Sequence, residues 1–269
     1  MAAGETQPVL AGRGVLVTRP AHQADHLCRL IEAAGGRPIR FPVLEIRPPA
    51  DPDGVAAELG RLADYDVAVF VSVNAVQAAL AAMGPRSWPS RVAIAAIGTA
   101  TAQALTAQGL VVTHCPVAEF TSEALLALPA LQGLAGRRVL ILRGDGGRDQ
   151  LRDTLRMRGA EVDYLEVYRR RLPDVDSAPL LDRWRSGEID AAMVTSNESL
   201  RNLVTIVGTL GKPLLRATPL IVANARTAVL ARELGISDRP RIAADATDAA
   251  MTAALCAHFS EQQRAARSD

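Results

Sequence analysis

The 269-residue sequence is poor in aromatic residues and in cysteine, and each shortage excludes a class of function. Phe, Trp and Tyr make up only 3% of the chain, too little for the aromatic platform on which single-stranded nucleic acids stack. The three cysteines, Cys28, Cys115 and Cys256, are odd in number and far apart, which argues against a disulfide framework. We therefore expect buried thiols in a reducing compartment.

The sequence also lacks an excess of charge of either sign and any long apolar run. The 30 Lys and Arg residues nearly balance the 29 Asp and Glu residues, so there is no basic field for nucleic acid or anionic lipid. The longest apolar run, around residues 67–71, is far too short to span a bilayer. Residues 1–12 lack the basic and apolar regions of a secretory signal. These absences predict a cytoplasmic protein that binds neither nucleic acid nor membrane.

Motifs for common cofactors are missing as well. The sequence contains no GxxxxGK[ST] loop, no GxGxxG that opens a helix and no GxSxG elbow. None of the four histidines has neighbours at metal-ligand spacing, and His22 and His26 lack the acidic context of a zinc helix. The sequence thus offers no metal site and no dinucleotide site.

Short β-prone apolar runs alternate with amphipathic helical patterns along the whole chain. The predicted strands are residues 15–17, 67–71, 92–96, 110–113, 139–142, 191–194, 220–222 and 241–243. Continuously apolar strands separated by helices indicate an α/β fold, with a parallel sheet that is covered on both faces.

The chain also repeats itself at an offset of 124 residues. Gly12-Arg13 matches Gly136-Arg137, Asp66 matches Asp190, and Ser72 matches Ser196. After a slip of two residues, Thr101-Ala102 matches Thr227-Ala228. We infer two copies of one α/β unit of roughly 120 residues, the size of a single domain.

Two extended, proline-punctuated segments, residues 41–49 and 166–173, occupy equivalent places in the two copies and suit interdomain linker strands. Two linkers require the chain to cross between domains twice, so one domain should be discontinuous. The predicted boundaries are residues 12–40 plus 174–260 for domain 1 and residues 50–165 for domain 2.

The turns from strand to helix carry small, hydroxylic, amide or arginine residues. Ligands of open α/β sheets bind beyond the carboxyl ends of the strands, where helix N-termini supply free N–H groups and a positive dipole end. Such a rim predicts a large ligand with several carboxylates or phosphates. The candidate binding residues are Arg19, Ser72, Asn74, Gly98, Thr101, Arg143, Gly144, Ser196, Asn197, Arg226 and Thr227.

Structural roles compete with binding at several of these positions. Arg19 and Arg143 are equally consistent with salt bridges at a domain edge. Residues 169–171 form a charge run of the kind that is usually solvated. From residue type and position alone, we expect Ser72, Ser196, Thr121 and Thr247 to be helix N-caps.

Several longer motifs occur in the order found in one enzyme family. They are the opening strand and turn Gly14–Pro20, the hydroxyl-plus-asparagine turn Phe70–Val76, the IGxxTAxxL stretch Ile97–Leu105, the block Gly147–Arg170 and the turn Thr195–Leu200. Through them the chain resembles the uroporphyrinogen-III synthase family from about Arg13 to Phe259. One departure is Asn224, which stands where the family often has a glycine, and asparagine tolerates left-handed backbone angles better than most residues.

The resemblance implies two flavodoxin-like parallel-sheet domains joined by a two-stranded linker. It implies a lyase that cyclises hydroxymethylbilane, with loss of water and inversion of ring D, to uroporphyrinogen III in tetrapyrrole biosynthesis. It further implies no cofactor, a monomer, and a hand-off of substrate from the upstream hydroxymethylbilane synthase. Tyr168 matches the tyrosine implicated in that family, and a phenol, protonated at neutral pH, can protonate the leaving hydroxyl.

Two other functions stay open at this point. A non-catalytic two-domain binding protein for a polyanionic small molecule would share the fold, although the sequence lacks an export signal and a preceding DNA-binding helix pair. A two-domain sugar-nucleotide transferase would require a clearer diphosphate site. Neither alternative accounts for the ordered series of motifs.

Overall fold

A computed structural model describes residues 8–117, 121–147, 149–237 and 239–266. The strands are β1 Gly14–Val17, β2 Arg37–Arg40, β3 Glu45–Arg47, β4 Val67–Phe70, β5 Ala93–Ala96, β6 Arg138–Gly144, β7 Glu161–Arg171, β8 Ala191–Val194, β9 Leu220–Val222 and β10 Arg241–Ile242. The helices are α1 Ala24–Ala33, α2 Pro52–Gly60, α3 Val73–Met83, α4 Thr99–Thr106, α5 Ser122–Ala127, α6 Gln150–Met157, α7 Ala178–Arg185, α8 Asn197–Ala217, α9 Ala225–Glu233 and α10 Asp248–Ala266. Single 3₁₀ turns lie at residues 21–23, 62–64 and 129–131.

The chain folds into two compact units. Unit 1 combines the chain up to Glu45 with the chain from Arg171 onward, and unit 2 comprises Ile46–Arg170. Unit 1 contains a five-stranded sheet in the order β10-β9-β8-β1-β2. Unit 2 contains a second sheet in the order β3-β7-β6-β4-β5. Both sheets are dominated by parallel pairs, as the alternation of strands and helices predicts.

Each central strand sends alternate side chains into two separate hydrophobic clusters. In β1, Leu16 packs into one cluster, whereas Val15 and Val17 pack into the cluster on the opposite face. In β4 of unit 2, Ala68 and Phe70 are separated from Val67 and Val69 in the same way. Because side chains alternate along a strand, apolar residues at every position require helices on both faces.

The two copies of the sequence repeat do not coincide with the two units. Unit 1 takes β1 and β2 from the first copy and β8 to β10 from the second. Unit 2 takes β6 and β7 from the second copy and β4 and β5 from the first. The equivalence of elements is close, because the eleven residues of α3 match the part of α8 that precedes Gly208. Gly208 interrupts α8 at a φ of 59°, and its counterpart Gly84 ends α3 at a φ of 60°.

A repeated aspartate ties the beginnings of neighbouring strands together in both units. The Asp66 carboxylate accepts hydrogen bonds from the Arg138 backbone N–H at 2.8 Å and from Nη1 of Arg137 at 2.7 Å. The Asp190 carboxylate accepts from the Gly14 backbone N–H at 2.7 Å and from Nη1 of Arg13 at 3.4 Å. Each aspartate comes from one copy and its partners come from the other, so this part of the repeat is explained by structure.

We expect Asp66→Asn to lower the free energy of unfolding by about 1 kcal/mol at pH 7, since a charged hydrogen bond is lost at a partly exposed site. The Arg138 N–H holds the pKa of the Asp66 carboxyl below its ordinary value of 3.8. A pKa lowered by folding stabilises the protein above that ordinary value and loses this effect as the pH falls further. The difference between wild type and variant should therefore shrink below about pH 4 in urea unfolding.

The exposed Asp174→Asn is the matched control and should change stability little at any pH. A gap between wild type and Asp66→Asn that stayed constant from pH 7 to pH 3 would contradict the role given to the carboxylate charge.

The strand predictions need correction. Residues 110–113, which the structure describes, form no strand, although the Thr113 N–H donates to the carbonyl of Ile94 at 2.9 Å and an isolated bridge joins Ala95 to the next residue, His114. Val111 is 82% exposed, so its apolar character does not reflect burial in a sheet. Conversely, β2 was missed because only Ile39 of its four residues is buried. β2 is an edge strand, where Pro38 is tolerated.

The cysteines are free, as predicted, but only Cys28 is buried, whereas Cys115 and Cys256 are half-buried. Burial raises the pKa of all three thiols. Within the described part of the chain, none of the helices combines the length and the apolar character needed to cross a membrane.

Candidate active site

A cavity of about 320 Å³ lies at the carboxyl ends of the strands of unit 2. It is lined by residues that follow β4 and β5, by the end of β6 and by the second half of β7. Four of the predicted site residues meet there, and they are Ser72, Arg143, Gly144 and Tyr168. The crevice beyond the strand ends is where α/β sheets bind their ligands.

Tyr168 and Ser72 form the polar centre of this cavity. Tyr168 is only 4% exposed, and its hydroxyl lies 3.1 Å from Oγ of Ser72, within hydrogen-bond distance. Ser72 Oγ also accepts the backbone N–H of Ala75 at 3.1 Å, which makes Ser72 the N-cap of α3. The phenol is thus connected through one hydroxyl to the positive end of a helix.

The helix N-cap interpretation is confirmed at all four predicted positions. Each hydroxyl accepts a backbone N–H three residues further on, at distances from 3.0 to 3.2 Å. The residues are Ser72, Thr121, Ser196 and Thr247. Capping does not exclude ligand binding, because an N-cap hydroxyl lies at the mouth of the strand-end crevice.

Arg143 is a buried cation that holds the loop after β6. Its side chain is 8% exposed and pairs with Asp149 at 3.4 Å. Nε donates to the carbonyl of Gly144 at 3.2 Å, and Nη2 donates to the carbonyl of Gly146. The guanidinium also lies 4.4 Å from the ring centre of Tyr164. The salt-bridge interpretation of Arg143 is confirmed, and its contact with a ligand stays a prediction.

Two lining residues, Tyr164 and Arg170, were missed from the sequence. The ring of Tyr164 lies near the guanidinium groups of Arg143 and Arg152, and burial raises the pKa of its phenol against the opposing effect of Arg143. Arg170 is half-buried and bonds Asp145 through its backbone N–H at 2.7 Å and through Nη2 at 2.8 Å. The interpretation of residues 169–171 as a solvated run is therefore wrong for Arg170.

A sequence signal exists for Arg170, because it lies two residues beyond Tyr168 on β7 and alternate residues of a strand share a face. No such signal marks Tyr164, because the ladder between β6 and β7 skips Val167 and the two tyrosines pack into clusters on opposite faces of the sheet. The sequence interpretation of residues 166–173 as a linker also ignores which face each residue takes, and the strand β7 runs from Glu161 to Arg171.

The other candidates of unit 2 do not line this cavity. Asn74 is half-buried in the first turn of α3. Gly98 is the N-cap residue of α4, and Thr101 is 4% exposed within that helix. They therefore stay predictions for contacts with parts of a ligand that lie outside the cavity.

The remaining candidates lie at the strand ends of unit 1. Oγ1 of Thr227 donates within a cluster of amides, 2.8 Å from Oδ1 of Asn197 and 3.2 Å from Oδ1 of Asn224. Asn224 caps α9 with an extended backbone at φ −161°, so the left-handed conformation considered for it does not arise. Arg226 is exposed on the first turn of the same helix.

Arg19 is also confirmed in a salt bridge. Its Nη2 lies 2.8 Å from Asp248 and donates to the carbonyl of Ala246 at 2.6 Å. Burial lowers the pKa of its guanidinium, and Asp248 opposes that shift. Ser196 Oγ lies 2.9 Å from Oγ of Ser199. In the part of the chain that the structure describes, no group of three or more His, Cys, Asp or Glu side chains could hold a metal ion.

Fold and site together define an α/β enzyme with parallel sheets, polar strand ends and a buried tyrosine in a cavity with arginines. The family model described as Uroporphyrinogen-III synthase HemD matches residues 25–253. The chain belongs to the uroporphyrinogen-III synthase family, whose members are cyclising hydro-lyases of tetrapyrrole biosynthesis.

Named relatives agree over almost their whole length. The uroporphyrinogen-III synthase of Escherichia coli K12 is 37% identical over 245 residues, which cover 90% of this chain and 99% of that protein. The uroporphyrinogen-III synthase of Salmonella typhimurium LT2 is 37% identical over 246 residues, again with 90% and 99% coverage.

Solved structures support the fold. A mutant uroporphyrinogen III synthase from the extremely thermophilic bacterium Thermus thermophilus has a TM-score of 0.63 at 20% identity and covers 94% of this chain and 100% of its own. The uroporphyrinogen-III synthetase of Helicobacter pylori 26695 has a TM-score of 0.58 at 16% identity, with 94% and 99% coverage. At these identities the likeness concerns the α/β fold alone.

Proposed function

We propose that this protein converts hydroxymethylbilane into uroporphyrinogen III, closing the ring with loss of water and inversion of ring D. The single observation that supports this most is the cavity of unit 2, where the Tyr168 phenol, Ser72 and two arginines converge. A neutral proton donor beside fixed positive charge suits a polycarboxylate substrate that must lose a hydroxyl group.

The volume of the cavity indicates how much of the substrate it holds. About 320 Å³ is near the lower end of small-molecule sites, so it fits one pyrrole ring with its acidic arms. We propose that the ring carrying the hydroxymethyl group enters this cavity. The hydroxyl, amide and arginine groups at the strand ends of unit 1 are proposed, by themselves, as carboxylate-binding groups.

Tyr168 has a defined part in the first chemical step. As the bond between the methylene carbon and the hydroxyl breaks, the Tyr168 phenol gives its proton to the leaving oxygen, which departs as water. Ser72 can donate its own proton to the Tyr168 oxygen while it accepts the N–H of Ala75, which steadies the developing phenolate. Tyr168 regains a proton when the newly closed ring system rearomatises.

The second step depends on conformation. The protonated azafulvene left on ring A can react with the free position of ring D, which yields the type I isomer, or with the substituted carbon, which leads through a spiro intermediate to type III. Holding the folded substrate so that the second attack is closer can supply several kcal/mol of selectivity. The candidate residues Arg19, Asn74, Gly98, Thr101, Arg143, Ser196, Asn197, Arg226 and Thr227 are proposed to bind the substrate, whereas Gly144 lies against the ring of Tyr168.

The domain organisation belongs to the same proposal. In unit 1 the strand order, counted along that unit, is 2-1-3-4-5, which supports a flavodoxin-like assignment. We propose two such domains with the predicted limits, residues 12–40 plus 174–260 and residues 50–165, and linker strands at 41–49 and 166–173. We also propose a cytoplasmic monomer that requires no cofactor and receives its substrate from hydroxymethylbilane synthase. Size-exclusion chromatography of this protein, alone and with the synthase, tests the monomeric state and the association of the two proteins.

The function is tested by isomer analysis. Hydroxymethylbilane is generated by its synthase, this protein is added, and the oxidised uroporphyrins are separated by chromatography. We expect an excess of type III over the reaction without this protein. A product that is entirely type I, formed in the presence of folded protein, would reject catalysis and favour a non-catalytic polyanion-binding protein.

A further inference from the structure

The aromatic ring of Tyr168 lies directly against the main chain of Gly144. A Cβ atom placed on Gly144 would lie 2.6 Å from Cζ of Tyr168, 2.7 Å from Cε2 and 2.9 Å from the hydroxyl oxygen. These distances are below the contact distance of carbon and oxygen atoms, so the ring could not keep its place beside any other residue.

The backbone itself does not require glycine at this position. Gly144 is not among the described glycines with a left-handed φ, in contrast to Gly146 and Gly147 two and three residues later. An alanine at position 144 would be free of backbone strain. The contact with the tyrosine ring is therefore the feature that a side chain at position 144 would disturb.

A shift in strand register places the ring at this point. Along β6 and β7, Arg143 pairs with Glu166, but the next residue, Gly144, pairs with Tyr168, so the ladder skips Val167. Irregularities of this kind redirect side chains next to active sites. The buried ring lies against Gly144, and its hydroxyl lies 3.1 Å from Ser72 Oγ.

We propose that Gly144 is a positioning residue for Tyr168. Because Gly144 has no side chain, the phenol ring can lie against its main chain, which places the hydroxyl 3.1 Å from Ser72 Oγ. This proposal rests on the proposed function, because Gly144 acts on the reaction through Tyr168. It differs from a direct binding role, in which the main chain of Gly144 would contact substrate and a substitution would mainly raise KM.

The dependence of the Tyr168 ring position on Gly144 can be tested without any activity measurement. The chain has three tyrosines, so protein labelled with ¹³C at the tyrosine ζ carbon has three signals, and Tyr168→Phe identifies one of them. We expect Gly144→Ala to move the Tyr168 signal and to leave that of Tyr65 unchanged. The control is Gly133→Ala, since a Cβ on Gly133 meets no described atom within 4 Å. An unmoved Tyr168 signal in Gly144→Ala would overturn the proposal that Gly144 positions the ring, whether or not the protein is catalytic.

Kinetics tests the consequence for the reaction. We expect Gly144→Ala to lower kcat roughly as much as Tyr168→Phe does, about 10- to 100-fold, with KM changed less than about threefold. In the Tyr168→Phe background the same substitution should cost nothing further, because the hydroxyl it displaces is already gone. Gly133→Ala should retain wild-type kcat.

Three results separate the possible failures. A rise in KM at constant kcat, or an additional loss of kcat in the double variant, would overturn the positioning role and favour a direct substrate contact. A moved Tyr168 signal with unchanged kcat would also overturn it. Absence of type III product from wild type would reject the proposed function. The signal shift alone would still show whether Gly144 positions the Tyr168 ring.

Discussion

Arg143→Ala is expected to lower the free energy of unfolding by about 3 kcal/mol and to lower kcat on the order of 100-fold or more. The guanidinium is nearly buried and joins Asp149, the carbonyls of Gly144 and Gly146 and the ring of Tyr164. Its removal leaves these groups without their shared donor and releases the loop that forms one wall of the cavity. The two effects are of similar size, because a 100-fold loss of kcat corresponds to about 2.7 kcal/mol, and a displacement of about 1 Å at a catalytic site is enough to cause it.

The role of the planar guanidinium can be separated from its charge. Arg143→Lys keeps the charge but cannot bond three acceptors from one plane, so we expect an intermediate loss of stability and activity. The control is Arg61→Ala, because the side chain of Arg61 is 63% exposed and its ion pairs are local. It should cost less than about 0.5 kcal/mol.

Urea unfolding and the isomer assay, each corrected for the folded fraction, measure both effects. If Arg143→Ala unfolded more easily but kept full kcat per folded molecule, the loop would be dispensable for the reaction. If the free energy of unfolding and kcat were both unchanged, the contacts described for Arg143 would contribute to neither stability nor catalysis.

Tyr168→Phe is expected to lower kcat by about 10- to 100-fold while the enzymatic product remains type III. Phenylalanine keeps the ring on Gly144 and removes only the proton donor. The loss should lie at or below the lower end of what general acids contribute, because the ordering of the substrate supplies much of the acceleration. Stability should fall by about 1 kcal/mol through the lost hydrogen bond to Ser72.

The matched control is Tyr164→Phe, which removes a hydroxyl from the other tyrosine of the cavity but keeps its ring beside Arg143 and Arg152. Single-turnover measurements with excess enzyme limit the spontaneous formation of type I. Near-wild-type kcat in Tyr168→Phe would remove the proton-donor role. A loss of type III selectivity in that variant would instead assign Tyr168 to holding the substrate.

Much of the fold could be predicted because its causes are local. Val67–Phe70 and Ala191–Val194 are buried at every position, and four consecutive apolar residues of this kind have few alternatives to a covered strand. The failures are local as well. β2 is mostly polar because it is an edge strand, and residues 110–113 are apolar although they form no strand.

The candidate site was predicted residue by residue but not as an arrangement. Ser72 and Tyr168 were each identified by position and motif, yet the distance between their oxygens depends on β6, which lies between β4 and β7 in the sheet. The partners of Arg143 were equally hidden, because two of its contacts, with Gly146 and Asp149, are made by the loop after β6, where Gly146 and Gly147 have left-handed angles.

The sequence by itself determined the α/β class and the family, because hydrophobic periodicity and ordered motifs are properties of the linear chain. Tertiary structure alone decided how the copies combine, with each sheet built from strands of both, and which strand-end residues meet in one cavity. The physical reason is that strand order and register are set by the burial of whole sheet faces, which sums over residues far apart in the chain. The shift that brings Tyr168 opposite Gly144 is a product of that packing and leaves no mark in the local sequence.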